Sequence, residues 1–289
     1  MIESQIESKN FIGGEWVGSD SGETSEILNP SNPSEVLGTT PKSGEEETKR
    51  AIEVAVEAFP EWKAMLPSAR GAVLMEAANI IESRSDELAR LMAREVGKAM
   101  KESRAEVARA AAILRYYGSE GWRLPGILPP SVRPGIQISS VREPVGIVAL
   151  ITPWNFPLAI PTWKLAPALI SGNAIVIKPA SQASLNAAGL VGILAEAGLP
   201  AGVLNMVTGP GGSVGDTLAT DPRVKALSFT GSTSVGLGIQ ERAVGKKVQL
   251  EMGGKNPYIV MEDADLEDAA RKVAYGAFGY SGEKCTASS

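Results

Sequence analysis

Histidine is absent from the 289-residue chain. That excludes Ser-His-Asp and Cys-His catalysis, histidine metal sites and a histidine proton switch. There is a single cysteine, Cys285, so neither an internal disulfide nor a cysteine zinc site can form. No excess of positive charge exists: 28 Lys and Arg stand against 33 Asp and Glu, a net of −5. Nucleic-acid binders usually concentrate basic residues, so no such partner is expected. Long apolar runs are missing too. The most apolar stretch, Val145 to Ile160, is interrupted by Pro153, Asn155 and Pro157 and is too short to span a bilayer. The acidic start, Met1-Ile2-Glu3-Ser4-Gln5-Ile6-Glu7, lacks the basic-then-apolar order of a signal peptide. A cytoplasmic, reducing setting is the economical expectation.

The composition that is present is ordinary for a globular protein, 44% apolar and 21% charged. The length fits roughly two domains at about 150 residues each. The first 40 residues read as short strands and turns, with Ile12, Trp16 and Val17 flanking a Gly13-Gly14 hairpin signal. Four helices follow. Ser43 and Glu46 form a capping box for a helix to about Phe59. Pro67-Ser68 opens a second, with Val73, Leu74, Ala77, Ala78 and Ile81 on one face. Ser85-Asp86 opens a third, and Glu102 to Tyr117 forms a fourth. Trp122 to Pro134 is a Pro- and Gly-rich linker, and Ile136, Ile138 and Val141 belong to an extended excursion outside the core.

From Val145 the pattern changes. Apolar runs at Val145–Ile151, Ala174–Lys178, Val203–Val207, Ala226–Thr230 and Val248–Glu251 alternate with helical segments at about 161–171, 184–197, 213–220 and 232–243. This predicts an α/β fold with a parallel sheet covered on both faces. Ligands in such sheets sit beyond the carboxyl ends of the strands, where the unusual residues fall. Asn155 follows the first strand; it is either a turn residue between two prolines or an amide aimed at developing negative charge. Lys178 ends the second, as a solvated strand end or as a donor to ribose or phosphate. The fourth runs into Phe229-Thr230-Gly231-Ser232-Thr233, whose helix start and Ser232 hydroxyl suit an anion. Gly231 and Gly236 are spaced like P-loop glycines, but no Gly-Lys-Ser/Thr follows. Glycines 209, 211 and 215 do not form the usual dinucleotide fingerprint either. Glu251 ends the fifth strand before two glycines, as a surface carboxylate or a base. Cys285 is either an inert thiol or a nucleophile.

Taken together, Pro153-Trp154-Asn155-Phe156-Pro157, Lys178-Pro179, Phe229-Thr230-Gly231-Ser232-Thr233, Leu250-Glu251-Met252-Gly253-Gly254-Lys255-Asn256-Pro257 and Gly282-Glu283-Lys284-Cys285 occur in one order and at family spacing. The chain resembles the NAD(P)-dependent aldehyde dehydrogenase superfamily over essentially its whole length, nearest the semialdehyde dehydrogenases. The resemblance implies a Rossmann-like cofactor domain over 1–251, with a linker and oligomerisation excursion at 122–143, and an incomplete catalytic domain at 252–289. It makes Cys285 the nucleophile, Glu251 the general base with a pKa raised by partial burial, and Asn155 the oxyanion donor. Lys164 matches a lysine that relays protons or tunes the thiol.

The same resemblance assigns the NAD or NADP contacts to Ile151, Thr152, Pro153, Trp154, Asn155, Lys178, Pro179, Ser181, Gly211, Gly215, Phe229, Thr230, Gly231, Ser232, Val235 and Met252. Phe156 and Trp163 match the aldehyde tunnel, and no metal is implied. Ser181 stands where NAD-preferring relatives often carry glutamate. Removing a like charge some 4 Å from a 2′-phosphate relieves roughly 1–4 kcal/mol of repulsion, so NADP acceptance is expected. Glu283 departs from the glutamine common two residues before the nucleophile, adding a negative charge near Cys285. The implied reaction is oxidation of a small-molecule aldehyde to a carboxylate by a homodimer or homotetramer. The alternatives are an acylating enzyme that uses coenzyme A, disfavoured by Glu251, and a nucleotide-binding fragment without turnover. With its nucleophile four residues from Ser289, the chain is expected to be the first part of a longer enzyme.

Overall fold

The computed structural model describes residues 6–124 and 126–289. Met1 to Gln5, on which part of the expectation about the N-terminus rests, and Pro125 of the linker lie outside the described residues.

The chain opens with strands β1 (Ile6–Glu7), β2 (Asn10–Ile12), β3 (Glu15–Val17), β4 (Thr24–Asn29) and β5 (Asn32–Pro41). β2 and β3 pair antiparallel across the two-residue turn at Gly13-Gly14. Both glycines take positive φ, 65° and 90°, the backbone such a tight hairpin requires. Helices α1 (Glu45–Ala64), α2 (Pro67–Ser83), α3 (Ser85–Val96) and α4 (Met100–Glu120) follow. The anticipated capping box sits one residue later. Gly44 is the N-cap, and its N–H donates to Glu47 Oε2 at 2.9 Å. Ser43 is committed elsewhere: its hydroxyl accepts from Asn10 Nδ2 at 2.7 Å. α1 also continues through Pro60, past the expected end at Phe59. Trp62, fully buried, donates its indole N–H to the Leu169 carbonyl at 3.1 Å, and that packing outweighs the cost of a proline in the last turns. In α2, Leu74, Ala77, Ala78 and Ile81 are completely buried, as their spacing requires.

The second half alternates β6 (Ile147–Ile151), α5 (Ala159–Ile170), β7 (Ala174–Lys178), α6 (Ser184–Glu196), β8 (Leu204–Met206), α7 (Asp216–Thr220), β9 (Val224–Thr230), α8 (Thr233–Arg242) and β10 (Lys247–Glu251). α7 is preceded by a wide helical turn at Gly211–Gly215, so the helix expected over 213–220 has an irregular start. The main sheet runs β10-β9-β6-β7-β8-β2-β3, parallel except at β2 and β3. Side chains of β6 divide the core. Val148 and Leu150 join one apolar cluster with α2, α4, α5 and α6, while Ile147, Ala149 and Ile151 join another with α1 and α7. Burial on both faces explains the unbroken apolar strands.

Between α4 and β6 the chain runs extended, with Ile127 and Ser140 exchanging backbone hydrogen bonds at 2.8 and 3.0 Å. Ile136, Ile138 and Val141 are exposed, as expected of an excursion. After β10, α9 (Leu266–Phe278) buries none of its residues. Among the described residues no helix is long and apolar enough to cross a membrane.

Candidate active site

Taking the five parallel strands in chain order, their spatial order is 5-4-1-2-3. The sheet therefore reverses direction of growth between β6 and β9, and ligands of such folds bind beyond the carboxyl ends at that point. A crevice of about 780 Å³ lies there. Its walls are the segments leaving β6, β7, β8 and β9, together with one face of α8. It includes every residue expected to touch cofactor except Asn155, Pro179 and Met252. Pro179 is buried and lends its carbonyl to Lys178 Nζ at 3.0 Å. Met252 lies beneath the start of α8, where a Cβ on Gly236 would come within 2.6 Å of its sulfur. Ser234, Val235, Gly238, Ile239 and Arg242 also line the crevice. Their helical spacing from Ser232 is the sequence signal for this face; of the five, only Val235 is among the expected contacts.

The crevice is built for an anionic, hydroxyl-rich ligand. Thr152 and Thr230, at the ends of β6 and β9, carry buried hydroxyls with no hydrogen-bond partner among the described residues. Ser232 caps α8 with its backbone alone, leaving its hydroxyl uncommitted. Lys178 is 7% exposed, and burial lowers its pKa to about 8. Ser181 sits at the rim with its hydroxyl 3.4 Å from the Gly209 carbonyl. Arg242 is paired with Asp216 at 2.9 Å, so Lys178 leaves the crevice one net positive charge. The glycines serve close approach. A Cβ at Gly209 would meet the Ser43 carbonyl at 2.4 Å, and one at Gly231 would meet the Phe229 ring at 2.5 Å.

The lip of the crevice is tied to the loop that bears the thiol. After Trp154, Asn155 Nδ2 donates to the Glu283 carbonyl at 2.7 Å, two residues before Cys285. An amide nitrogen carries two N–H groups, so one remains for a ligand. The segment is anchored from behind. Lys98 Nζ donates to the Asn155 carbonyl at 2.8 Å and forms a buried ion pair with Glu106. Glu106 in turn accepts the N–H groups of Leu158 and Ala159, each at 3.0 Å, capping α5. The Lys98 ammonium also lies 4.0 Å from the Phe156 ring centre and 4.1 Å from that of Tyr280. This clamp was not anticipated, since nothing in the sequence distinguishes its lysine and glutamate from surface pairs.

Cys285 is exposed and free. Its carbonyl accepts from Asn256 Nδ2 at 2.7 Å, which holds the thiol loop against the segment after Glu251. Glu251 is itself exposed, so the partial burial expected of a base is absent; its carboxylate accepts from Gln249 Nε2 at 3.3 Å. Ser228 donates to Gln249 Oε1 at 2.5 Å, and Lys164 Nζ lies 2.6 Å from Ser228 Oγ. Burial lowers the Lys164 pKa to about 8, against the opposing pull of the Glu251 charge. A carboxamide passes a proton only through a rare tautomer, so this line orients Glu251 and does not conduct protons to it. Phe156 and Trp163 line a separate cavity together with Lys284.

Fold and site together define a doubly wound α/β protein with a dinucleotide-sized crevice whose lip is bonded to the loop of a lone thiol. Residues 16–289 match the aldehyde dehydrogenase family, and the chain belongs to it. Among curated relatives, the alpha-ketoglutaric semialdehyde dehydrogenase of Bacillus subtilis is 47% identical over 291 residues, covering 100% of this chain and 60% of that protein. The NADP-dependent succinate-semialdehyde dehydrogenase of Escherichia coli is 40% identical, covering 95% and 57%. A crystal structure of an E. coli NADP-dependent enzyme superposes with a TM-score of 0.95 at 39% identity, covering 98% of this chain and 59% of that one. PnpE in complex with nicotinamide adenine dinucleotide gives 0.94 at 36%, covering 98% and 58%. The chain thus spans about 60% of the length of the relatives it matches.

Proposed function

We propose that this chain carries the cofactor site and nucleophile of an NAD(P)-dependent aldehyde dehydrogenase acting on a semialdehyde. The observation that supports it most is the 2.7 Å bond from Asn155 to the Glu283 carbonyl, which ties the crevice to the loop bearing Cys285. In this reading Thr152, Thr230, Ser232 and Lys178 hold the dinucleotide. Ser181, with no carboxylate at its position, accommodates a 2′-phosphate, so NADP is accepted. The Cys285 thiolate attacks the aldehyde carbon. The free N–H of Asn155 and the Cys285 backbone N–H receive the oxyanion. A dinucleotide held by these residues would supply the hydride acceptor that converts the thiohemiacetal on Cys285 to a thioester. Glu251 then takes a proton from the water that adds to the thioester, and the thiolate is expelled.

Residues 1–251 form the cofactor domain in this proposal, and 252–289 begin the catalytic one. The exposed Ile136, Ile138 and Val141 meet a neighbouring subunit of a homodimer or homotetramer. A cytoplasmic setting keeps Cys285 reduced. The test is NAD(P)H formation from a panel of semialdehydes and neutral aldehydes with both cofactors, on this chain and on any longer form. Turnover lost in Cys285→Ser supports the reading; unchanged turnover in that variant overturns it. The exposure of both Glu251 and Cys285 favours a second reading for the isolated chain, cofactor binding without turnover. Fluorescence quenching by cofactor with no product from any aldehyde would establish it.

A further inference from the structure

A second cavity, about 230 Å³, is lined by Phe156, on the other side of Asn155 in the chain from the crevice residue Trp154. Four residues of α4 at helical spacing, Glu102, Ala105, Glu106 and Arg109, form one wall. Phe156 and Trp163 form an aromatic wall, and Tyr280 packs edge-on against Phe156 with ring centres 5.7 Å apart. Lys284, the residue before the thiol, also lines it.

The charges around it do not cancel. Lys98 is consumed by Glu106 inside the clamp. Lys284 Nζ lies 3.6 Å from Glu102. Arg109 has no acidic partner among the described residues, and no hydrogen bond or ring contact involves it. Two pairs and one uncommitted guanidinium leave a net charge of +1 in a largely aromatic pocket that begins beside the nucleophile loop. Such a pocket suits a ligand with an apolar stem and a single anionic end. A carboxylate is the group a guanidinium fork matches best, through two parallel N–H···O bonds.

We propose that Arg109 sets the substrate class, seating the distal carboxylate of an ω-carboxylated aldehyde in this cavity while its aldehyde end faces Cys285. The assignment rests on the reading of the chain as a semialdehyde dehydrogenase, and it names the residue that would make the substrate a semialdehyde. Trp163 and Phe156 line the methylene stem; Lys98 and Glu106 hold the Phe156 wall in place and are not available to the ligand.

Arg109 is exposed and unpaired, so Arg109→Gln should fold normally, and Arg109→Lys provides a charge-retaining control. Two measurements separate this inference from the reading beneath it. In equilibrium calorimetry the probes are pentanoate and pentanamide, equal in shape and different in charge. Pentanoate should bind at least about tenfold tighter, the scale of a charge-assisted pair. The advantage should vanish in Arg109→Gln and partly return in Arg109→Lys. In steady-state turnover, Arg109→Gln should lower kcat/KM for succinate semialdehyde about 10- to 100-fold, mainly through KM. The ratio of kcat/KM for succinate semialdehyde to that for butanal, which carries no carboxylate, should fall by the same factor. Equal binding of the two probes, or an advantage that survives in Arg109→Gln, overturns the inference even if aldehydes are oxidised. Charge-selective binding lost in Arg109→Gln, without turnover of either aldehyde, supports the pocket assignment and counts against the oxidation reading alone.

Discussion

Glu95 offers a stability test that the composition of this chain makes unusually clean. It is 3% exposed at the end of α3. One carboxylate oxygen accepts the Leu185 N–H at 2.6 Å; the other accepts the Asn186 N–H at 3.1 Å and its side-chain amide. It therefore clamps the first turn of α6, directly behind Ser181 and Gln182 of the cofactor crevice. Burial pushes its pKa up from an ordinary 4.5 to about 7, against the three donors that pull it down. The folded state thus holds a proton that the unfolded chain has released across that window. Stability from this group is fully present below about pH 4.5 and is lost as pH rises through about 7.

At about 1.4 kcal/mol per pKa unit, the gap between 4.5 and about 7 amounts to roughly 3 kcal/mol in all. About 2 kcal/mol of it falls between pH 5.5 and 7.5. No histidine exists to titrate in the same interval, so Glu95 should dominate the pH dependence there. Urea unfolding at 25 °C and constant ionic strength should give a midpoint that falls steadily from pH 5.5 to 7.5, equivalent to a few degrees in Tm. The slope should disappear in Glu95→Gln, whatever that variant's absolute stability. A wild-type midpoint that is flat or rises over this interval would refute the reasoning: the helix-end donors would then outweigh desolvation and keep Glu95 ionised throughout.

Two further outcomes follow from buried charges. Lys178→Met should weaken cofactor binding about 10- to 100-fold, the worth of one charged hydrogen bond. In the unaltered chain, affinity should fall as pH rises through about 8, where Lys178 loses its proton, and this fall should be missing from the variant; intrinsic cofactor fluorescence titrations measure both. Glu106→Gln leaves the Lys98 ammonium buried without its counter-ion and should cost about 3–5 kcal/mol in denaturant unfolding. The double variant with Lys98→Met should recover part of that loss, and strict additivity would mean that the pair is not coupled.

The sheet was legible because a parallel strand buried on both faces must be apolar at every position. Ile147 to Ile151 and Ala174 to Ile177 are buried without exception, and no helical pattern of similar length competes with them. Residues after the strands were legible for a related reason, since the topology gives them one common edge. Features decided by distant contacts were not. The α1 cap shifted because Asn10 claims the Ser43 hydroxyl from 33 positions away. The wide turn at Gly211–Gly215 is a glycine-rich segment on which periodicity says nothing. Lys98, Glu106 and Arg109 read as members of a solvated charged helix, and only their placement against Asn155 and Phe156 separates the buried pair from the unpaired cation. Glu251 shows the opposite failure: its motif is plain, but burial depends on what packs over the β10 edge, and nothing among the described residues does.

The chemistry converges because one short segment serves three structures at once. Residues 151–154 form the crevice wall, Asn155 reaches the thiol loop, and Phe156 forms a wall of the charged cavity. Such a segment, irregular and flanked by Pro153 and Pro157, has few backbone bonds of its own to fix it. The clamp supplies them from outside: Lys98 takes the Asn155 carbonyl, while Glu106 takes the N–H groups at the start of α5. Both side chains come from the α3–α4 region, which buries itself against α2, α5 and α6 rather than against the crevice. A ligand entering the crevice therefore meets a wall whose position is set from the opposite side of the sheet.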